Sequence, residues 1–308
     1  MDIVKLLNAL PGAVSQGVIW GIMAIGVYIT YRVLDVADLT VDGSMATGGA
    51  VAAVLIVNGC NVYVALLVAF LVGVLCGLVT GFLHTGMGIP AILSGILTQL
   101  ALYSVNLRIM SSKANLPVSV NKYRLVVSLR NAKLLSLENP IVILLAFTVV
   151  LIALLCLFFG TEYGCSLRAT GANAQMARAQ GINTSTAKVV GLMLSNGIVA
   201  FSGALLAQYQ GFADVGMGRG AIVIGLAAVI IGEVVLGKLF RSFWGKLVTV
   251  SIGAVIYYIV MQLVLWLGLN TNDLKMITAL VVALFLAVPY WKGKLFTMRG
   301  RKGGSAHA

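Results

Sequence analysis

Charged residues are scarce in this chain, since only 10% of its 308 residues are Asp, Glu, Lys or Arg. An average soluble domain carries roughly 25%. Hydrophobic residues make up 60% of the sequence, and the mean hydropathy is +1.03. This composition cannot build a water-soluble surface, so it excludes an ordinary soluble enzyme or binding domain. It indicates a protein embedded in a membrane.

Cysteine and histidine are also rare. The four cysteines are scattered without a CxxC pair, and one of the two histidines lies in the C-terminal tail. This pattern favours neither a disulfide framework nor a zinc site. We therefore expect no metal site in the chain.

A nucleotide-binding motif is missing as well. The stretch GEVVLGK, residues 232–238, has the spacing of a phosphate-binding loop, but Leu239 stands where that motif requires Ser or Thr. The stretch also closes an apolar run instead of following a strand. We expect no catalytic residue and no cofactor in this chain, so an ATP-driven step would need a separate subunit.

The basic residues that are present lie beside apolar runs and give a formal net charge of +12. In a membrane protein this placement indicates orientation across the bilayer and contact with anionic lipid headgroups. No soluble segment is left over for nucleic-acid binding, so we expect no nucleic-acid partner.

Long apolar runs dominate the sequence. A transmembrane helix needs ~20 mostly apolar residues, and eight runs predict full spans of an all-α polytopic transmembrane helix bundle. A ninth piece, 46–58, has only about 13 residues, so we expect a short or re-entrant helix there. The eight runs are 13–31, 62–84, 89–110, 140–160, 187–210, 220–237, 247–268 and 274–291.

Lysine and arginine in short loops set the expected orientation. The loop 161–186, the turn 238–246 and the tail 293–308 carry basic residues, and their alternation with the spans places all three in the cytoplasm. Residues 1–292 form one transmembrane domain in this scheme. If 46–58 crosses the membrane, the N-terminus lies outside, and if it re-enters, the N-terminus lies inside. Its short length favours the second arrangement.

The external loop 111–139 departs from the charge rule. Two interpretations stay open: a loop that escapes the rule, or a basic surface that docks an acidic partner. Its alternation of apolar and polar residues predicts a small β-hairpin. Its basic residues are Lys113, Lys122, Arg124, Arg130 and Lys133.

Two further patterns concern local structure. Gly73, Gly77 and Gly81 recur at every fourth position, which predicts close approach of two helices in lipid. In the cytoplasmic loop, Asn173 can cap a helix of roughly two turns, and Gly181 suits its left-handed end. Such a short helix is unstable alone, so the flanking spans and a partner must hold it. Its exposed face would offer Met176, Arg178 and Gln180.

Polar residues within spans indicate a translocation path, because they are costly in lipid and tend to face a cavity or another helix. The stretch 34–49 predicts a break in the helix that lines this path, although a solvated loop is the alternative. Hydrogen bonds between helices could equally explain the polar residues on 89–110 and 187–210. The predicted path residues are Asp38, Thr40, Asp42, Ser44, Thr98, Gln99, Ser195 and Asn196.

Several of these stretches resemble the permease subunits of ABC importers of the branched-chain amino acid and ribose kind. They are GCSLRATGANAQMARAQGIN, FSGALLAQYQG and GLAAVIIGEVVLG. ADLTVDGSMATGGAVAAVLIVNG and LTQLALYSVNLRIM resemble a branch often paired with binding proteins for aromatic amino acids. The resemblance implies that the cytoplasmic loop docks on the ATPase subunit. The implied coupling residues are Arg168, Gly171, Ala172, Asn173, Met176, Ala177, Arg178 and Gly181.

The resemblance implies a multi-pass permease of the cell membrane that works as a pair, most simply a homodimer surrounded by lipid. Separate ATPase subunits would bind ATP and magnesium, and an extracytoplasmic binding protein would deliver the solute. The expected solute is a small polar organic molecule such as an aromatic or branched-chain amino acid. The alternative is an ion-coupled secondary transporter, which needs a carboxylate at the membrane midplane. Glu233 and the aspartates leave room for it.

Overall fold

Helices make up almost all of the architecture in the computed structural model. It describes residues 3–119, 122–123, 125–128, 139–237, 240, 242–267, 276–285 and 287. The tail 293–308, the linker 269–275 and much of the predicted hairpin lie outside these residues. The helices are α1 Ile3–Tyr28, which continues as a π-helix Ile29–Val33, α2 Thr40–Val57, α3 Val62–Thr85, α4 Ala91–Ile109, α5 Pro140–Gly160, α6 Glu162–Ala172, α7 Ala174–Ala179, α8 Thr184–Gln210, α9 Ala221–Leu236, α10 Phe243–Trp266 and α11 Met276–Phe285.

Seven helices in the described part of the chain are long and apolar enough to cross a membrane. They are the segment Ala9–Val33, which covers most of α1 and its whole π-helical end, and the helices α2, α3, α4, α5, α8 and α10. This confirms the all-α polytopic bundle, while the number of crossings stays a prediction. α9 overlaps the predicted run 220–237, and the described residues of α11 lie within the predicted run 274–291.

The prediction of a short helix at 46–58 is wrong. α2 has 18 residues because it begins at Thr40 and includes the polar stretch TVDGS. From the sequence, those polar residues suggest a break or a loop. In the structure, however, Thr40 and Ser44 are fully buried against other helices. The predicted break in this region is real but ends at Leu39, before α2 begins.

Polar residues at the helix starts explain where many helices begin. Side-chain oxygens accept hydrogen bonds from free amides of the first turn, which offsets the loss of intrahelical partners there. At the other end of α8, Gly211 adopts a left-handed conformation with φ of 78°, and its amide donates a hydrogen bond to the Ala207 carbonyl. The capping residues are Asn61, Asn139, Thr161, Asn173, Asn183 and Ser242.

Contacts between distant segments sort the linkers onto two ends of the bundle. Strand β1, Asn115–Pro117, pairs antiparallel with strand β2, Phe212–Asp214, so the loop after α4 and the linker after α8 share one end. At the other end, the Arg168 guanidinium lies 5.9 Å from the ring centroid of Phe243. This arrangement agrees with the predicted outer and cytoplasmic sides. The strand partner comes from a distant linker rather than from the same loop.

Relative to the predicted sides of the bundle, the structure contradicts the favoured inside position of the N-terminus. The Tyr209 hydroxyl at the outer end of α8 donates a hydrogen bond to the Gly12 carbonyl at 3.1 Å. The start of α1 therefore lies at the end of the bundle that carries β1 and β2. Because α2 is longer than the apolar piece 46–58, it returns the chain to that end.

Helix α8 forms the centre of the bundle, and glycines bring α3 against it. A Cβ atom on Gly73 would overlap the Asn196 carbonyl oxygen, and one on Gly77 would overlap that of Leu192. A Cβ atom on Gly81 would lie 3.0 Å from the Val189 Cα. The prediction that these glycines allow close helix approach is confirmed.

We predict that Gly77→Ala lowers the stability of the folded protein by about 1–3 kcal/mol, because the added methyl group forces α3 away from α8. Thermal unfolding in detergent measures the effect. Gly160→Ala is the matched control, since a Cβ atom there would meet nothing within 4 Å. Equal unfolding temperatures for the two variants would contradict the packing account.

Candidate functional site

The loop 161–186, which the sequence predicts to be cytoplasmic, contains the expected short capped helix. The Asn173 side chain accepts hydrogen bonds from the Gln175 and Met176 amides, both at 3.0 Å, and α7 follows with six residues. Gly181 adopts the left-handed φ of 81° just after the helix. Asn173 and Gly181 thus set the two ends of α7.

α7 presents its outer side to solvent and its inner side to the protein. Met176 is 64% exposed, Arg178 and Gln180 are exposed, and Ala177 is buried at 3%. The Arg178 guanidinium donates a hydrogen bond at 2.7 Å to the Thr184 hydroxyl in the first turn of α8. α7 is therefore attached to α8 while Met176 stays free to meet another molecule.

α6 lies directly on the π-helical end of α1. A Cβ atom on Gly171 would overlap the Val33 carbonyl oxygen, so only glycine permits this contact. Next to it, Ala172 is exposed. The predicted cytoplasmic loop thus touches the bundle at the point where α1 loses regular α-helical structure.

The break at 34–39 is held by hydrogen bonds from its own backbone and from α8. The Leu34 and Val36 amides donate to carbonyl oxygens of the π-helical turn at 3.0 Å. Asp38 is 2% exposed, and its two carboxylate oxygens accept from the Thr40 amide at 2.9 Å and the Asn196 side-chain amide at 2.7 Å. Irregular backbone is tolerated in a membrane protein where its polar groups are satisfied in this way.

Asn196 on α8 joins the break to α2. Its Oδ1 atom accepts a 2.6 Å hydrogen bond from the Ser44 hydroxyl on α2, and its amide also donates to the Leu192 carbonyl at 3.0 Å. The neighbouring Ser195 hydroxyl points elsewhere and donates to the Gly26 carbonyl on α1 at 2.8 Å. Asn196 is the centre of this polar network.

Three threonine hydroxyls continue the network across the bundle. Thr40 and Thr80 are 2.7 Å apart through their Oγ1 atoms, and Thr80 donates to Thr98 at 3.0 Å. All three side chains are buried. The structure therefore brings five predicted path residues together in one hydrogen-bonded network: Asp38, Thr40, Ser44, Thr98 and Asn196. Their role in translocation stays a prediction.

Asp42 caps a helix other than its own. Its carboxylate oxygens accept hydrogen bonds from the Gly220 amide at 2.9 Å and the Ile222 amide at 3.0 Å, at the start of α9. Gly218 packs so closely that a Cβ atom would overlap the Asp42 carbonyl oxygen. The linker before α9 therefore folds back onto the first turn of α2.

A cavity of about 310 Å³ lies between α2, α4 and this linker. Two of the predicted path residues, Asp42 and Gln99, line it. Tyr103, Asn106 and Arg219 complete its polar lining. The cavity and the buried network thus share α2 and α4 but are formed by different side chains.

Comparison with known proteins matches residues 10–288 to the branched-chain amino acid transport system permease component family. The chain belongs to this permease family. It is a permease subunit of an ABC importer for a small solute, and it is a multi-pass protein of the plasma membrane. ATPase and solute-binding proteins are the partners that this membership implies. The ion-coupled alternative is thereby set aside.

Individual relatives agree with this assignment. A tyrosine transport system permease protein of Clostridioides difficile (strain R20291) is 42% identical, with 91% of each chain covered. An uncharacterized protein of Rickettsia prowazekii (strain Madrid E) is 32% identical over 91% of this chain and 98% of its own. A fructose import permease of Bifidobacterium longum (strain NCC 2705) is 28% identical over 80% of this chain and 67% of its own.

The permease contains polar groups that sequence reasoning missed. Glu233, whose role the sequence left open, pairs with Arg32, whose Nε donates to Oε1 at 2.9 Å. Thr80 joins the buried network, and Asn106 and Arg219 line the cavity. Arg219 is the single basic residue of the stretch GMGRG, residues 216–220, and this isolation could have indicated a functional role. Nothing in the sequence pairs Arg32 with Glu233.

We predict that Asn196→Leu destabilises the permease far more than Ser195→Ala. The first change leaves the buried Asp38 oxygen and the Ser44 hydroxyl without their partner, and an unsatisfied buried group costs about 1–3 kcal/mol. The second removes one interhelical hydrogen bond worth ~0.6 kcal/mol. Thermal unfolding in detergent compares the two, and similar losses would show that Asn196 does not organise the network.

Proposed function

We propose that α7 with its flanking residues, 172–181, is the element through which an ATPase subunit drives this permease. The observation that carries the proposal is the exposed Met176 on a helix whose ends are fixed by Asn173 and Gly181. A helix this short resists bending and is fastened to α8 through Arg178. Force applied to its exposed face would therefore move α8. The finer assignment of the coupling residues rests on the family resemblance.

Two contacts support transmission into the membrane. Gly171 on α6 abuts the Val33 carbonyl of the π-helical turn, and Asp38 just beyond that turn is hydrogen-bonded to Asn196 on α8. Movement of the cytoplasmic loop would thus reach the break from both sides, through α6 and through α8. We infer that the break is the hinge at which access of the path alternates.

The chemistry of ATP hydrolysis belongs, in this proposal, to the partner subunit. The permease itself contributes binding surfaces and movement and makes or breaks no covalent bond. ATP and magnesium would be bound by the ATPase, and the solute would arrive on a binding protein that meets the outer end of the bundle. This end carries β1 and β2.

The solute is, we propose, an aromatic or branched-chain amino acid. The relative with 42% identity is named for tyrosine transport, and an aromatic or branched-chain amino acid is of the size that a cavity of about 310 Å³ accepts. The predicted path residues include Asp42 and Gln99, which line that cavity. Ser195 faces α1, so its contribution to the path would be indirect.

We further propose that two copies of the permease form the translocation unit. Only 22% of the apolar stretch of α4 is buried by the rest of the protein, and its exposed residues include Tyr103 and Ser104. Polar groups on a lipid-facing surface are unfavourable, so this face suits a water-filled path shared with a second copy. Lipid would cover the apolar sides of α3 and α5.

We predict that Met176→Glu lowers association with the ATPase subunit by at least about tenfold, because a carboxylate replaces an apolar contact at the docking face. Co-purification and solute-stimulated ATP hydrolysis in proteoliposomes measure this. Ala177 is unsuited to the experiment since it is buried.

Met87→Glu is the matched control. Met87 is 61% exposed in the turn between α3 and α4, at the same end of the bundle, and it lies outside the coupling segment. Full ATPase association of the Met176 variant, or equal loss in both variants, would contradict docking at α7.

A further inference from the structure

The cavity between α2, α4 and the linker before α9 is lined by two chemically different polar side chains. They are the exposed Arg219 and the buried Asn106. Tyr103 lies on the same helix as Asn106 and also lines the cavity. At about 310 Å³ the cavity is at the lower limit of the ~300–1,000 Å³ typical of ligand sites.

Asn106 is the first observation that points to a ligand. Its side chain is 1% exposed, and its Oδ1 atom has no hydrogen-bond partner within the described residues. Buried polar atoms are nearly always satisfied, because an unpaired buried acceptor is costly. An Asn lining a cavity with a free acceptor therefore calls for a donor from a bound molecule, such as an ammonium group.

Arg219 is the second observation. Its guanidinium lies 5.9 Å from the ring centroid of Tyr103, and it forms no ion pair with any carboxylate that the structure describes. The carboxylate of Asp42, in the same cavity, is already occupied by the Gly220 and Ile222 amides. A guanidinium without a carboxylate partner is well suited to bind a carboxylate of the solute by paired hydrogen bonds.

We propose that this cavity binds the main-chain groups of an α-amino acid zwitterion. Arg219 holds the solute carboxylate, the Asn106 Oδ1 atom accepts a hydrogen bond from the solute ammonium, and the Tyr103 ring packs against the solute side chain. Gln99 lies half-buried beside them and completes the polar wall. This site rests on the proposed function, since it specifies how the imported amino acid is recognised in the permease itself.

Direct binding to the permease–ATPase complex, without the binding protein, tests the site. The probes are L-tyrosine, tyramine, which lacks the carboxylate, and 3-(4-hydroxyphenyl)propionate, which lacks the ammonium. Saturation-transfer NMR detects weak binding of each. The wild type is expected to bind L-tyrosine at least about tenfold more tightly than either analogue, as expected for loss of one charged hydrogen-bonded group.

The variants separate the contribution of Arg219 from that of Asn106. Arg219→Gln is expected to abolish the preference for L-tyrosine over tyramine, and Arg219→Lys to restore part of it. Asn106→Leu is expected to abolish the preference over 3-(4-hydroxyphenyl)propionate. Arg108→Gln is the control, because Arg108 is an exposed arginine near the end of the same helix that does not line the cavity. A purely structural role of Arg219 would not change analogue preference.

Failure of this site and failure of the proposed function give different results. If proteoliposomes with the binding protein and the ATPase import no L-amino acid, amino acid import is wrong and the site falls with it. If the wild type imports an L-amino acid but Arg219→Gln keeps the preference over tyramine, or the wild type shows no preference, the site alone is overturned.

Discussion

The hydrogen bond from the Asn196 amide to the buried Asp38 carboxylate is the interaction on which the rest of the arrangement depends. A buried carboxyl is unfavourable unless its oxygens accept hydrogen bonds. The irregular backbone between the π-helical turn and α2 positions the Asp38 carboxylate beside Asn196. The Oδ1 atom of the same Asn196 side chain also accepts a hydrogen bond from the Ser44 hydroxyl. One side chain on α8 therefore fixes both the break in the chain and the start of α2.

This constraint connects the two regions to which we assign roles in transport. On the cytoplasmic side, α6 packs against the π-helical turn and α7 is attached to the first turn of α8. On the other side of the network, α2 carries Asp42. Its carboxylate accepts hydrogen bonds from amides at the start of α9, and Asp42 also lines the cavity. A change in the angle of α8 would alter the hydrogen bonds at the break and, through α2, the shape of the cavity. The proposed solute site and the proposed ATPase contact are thus joined by packed helices and a few buried polar side chains.

The sequence predicts much of this architecture because its strongest signals are local. Apolar runs identify the long helices, Asn173 and Gly181 define α7, and the glycines of α3 indicate close packing. Signals that depend on distant partners are lost: the alternation of polar and apolar residues at the start of α2 resembles a loop, although burial against α8 makes it helix. The N-terminal side was misjudged for the same reason. Asp42, Asn106 and Arg219 come together only through the return of the linker before α9, which no local pattern encodes. Asp38 and Asn196 were recognised as polar residues within spans, but not as partners.

The central claim is that residues 172–181 are the surface through which the ATPase acts on the permease. Photocrosslinking tests it most directly, with a photoreactive amino acid introduced at position 176 of the assembled transporter. The account predicts an adduct with the ATPase subunit whose yield changes when ATP binds. An assembled transporter that hydrolyses ATP in response to solute, yet gives an adduct with lipid alone and none with the ATPase, would contradict the account.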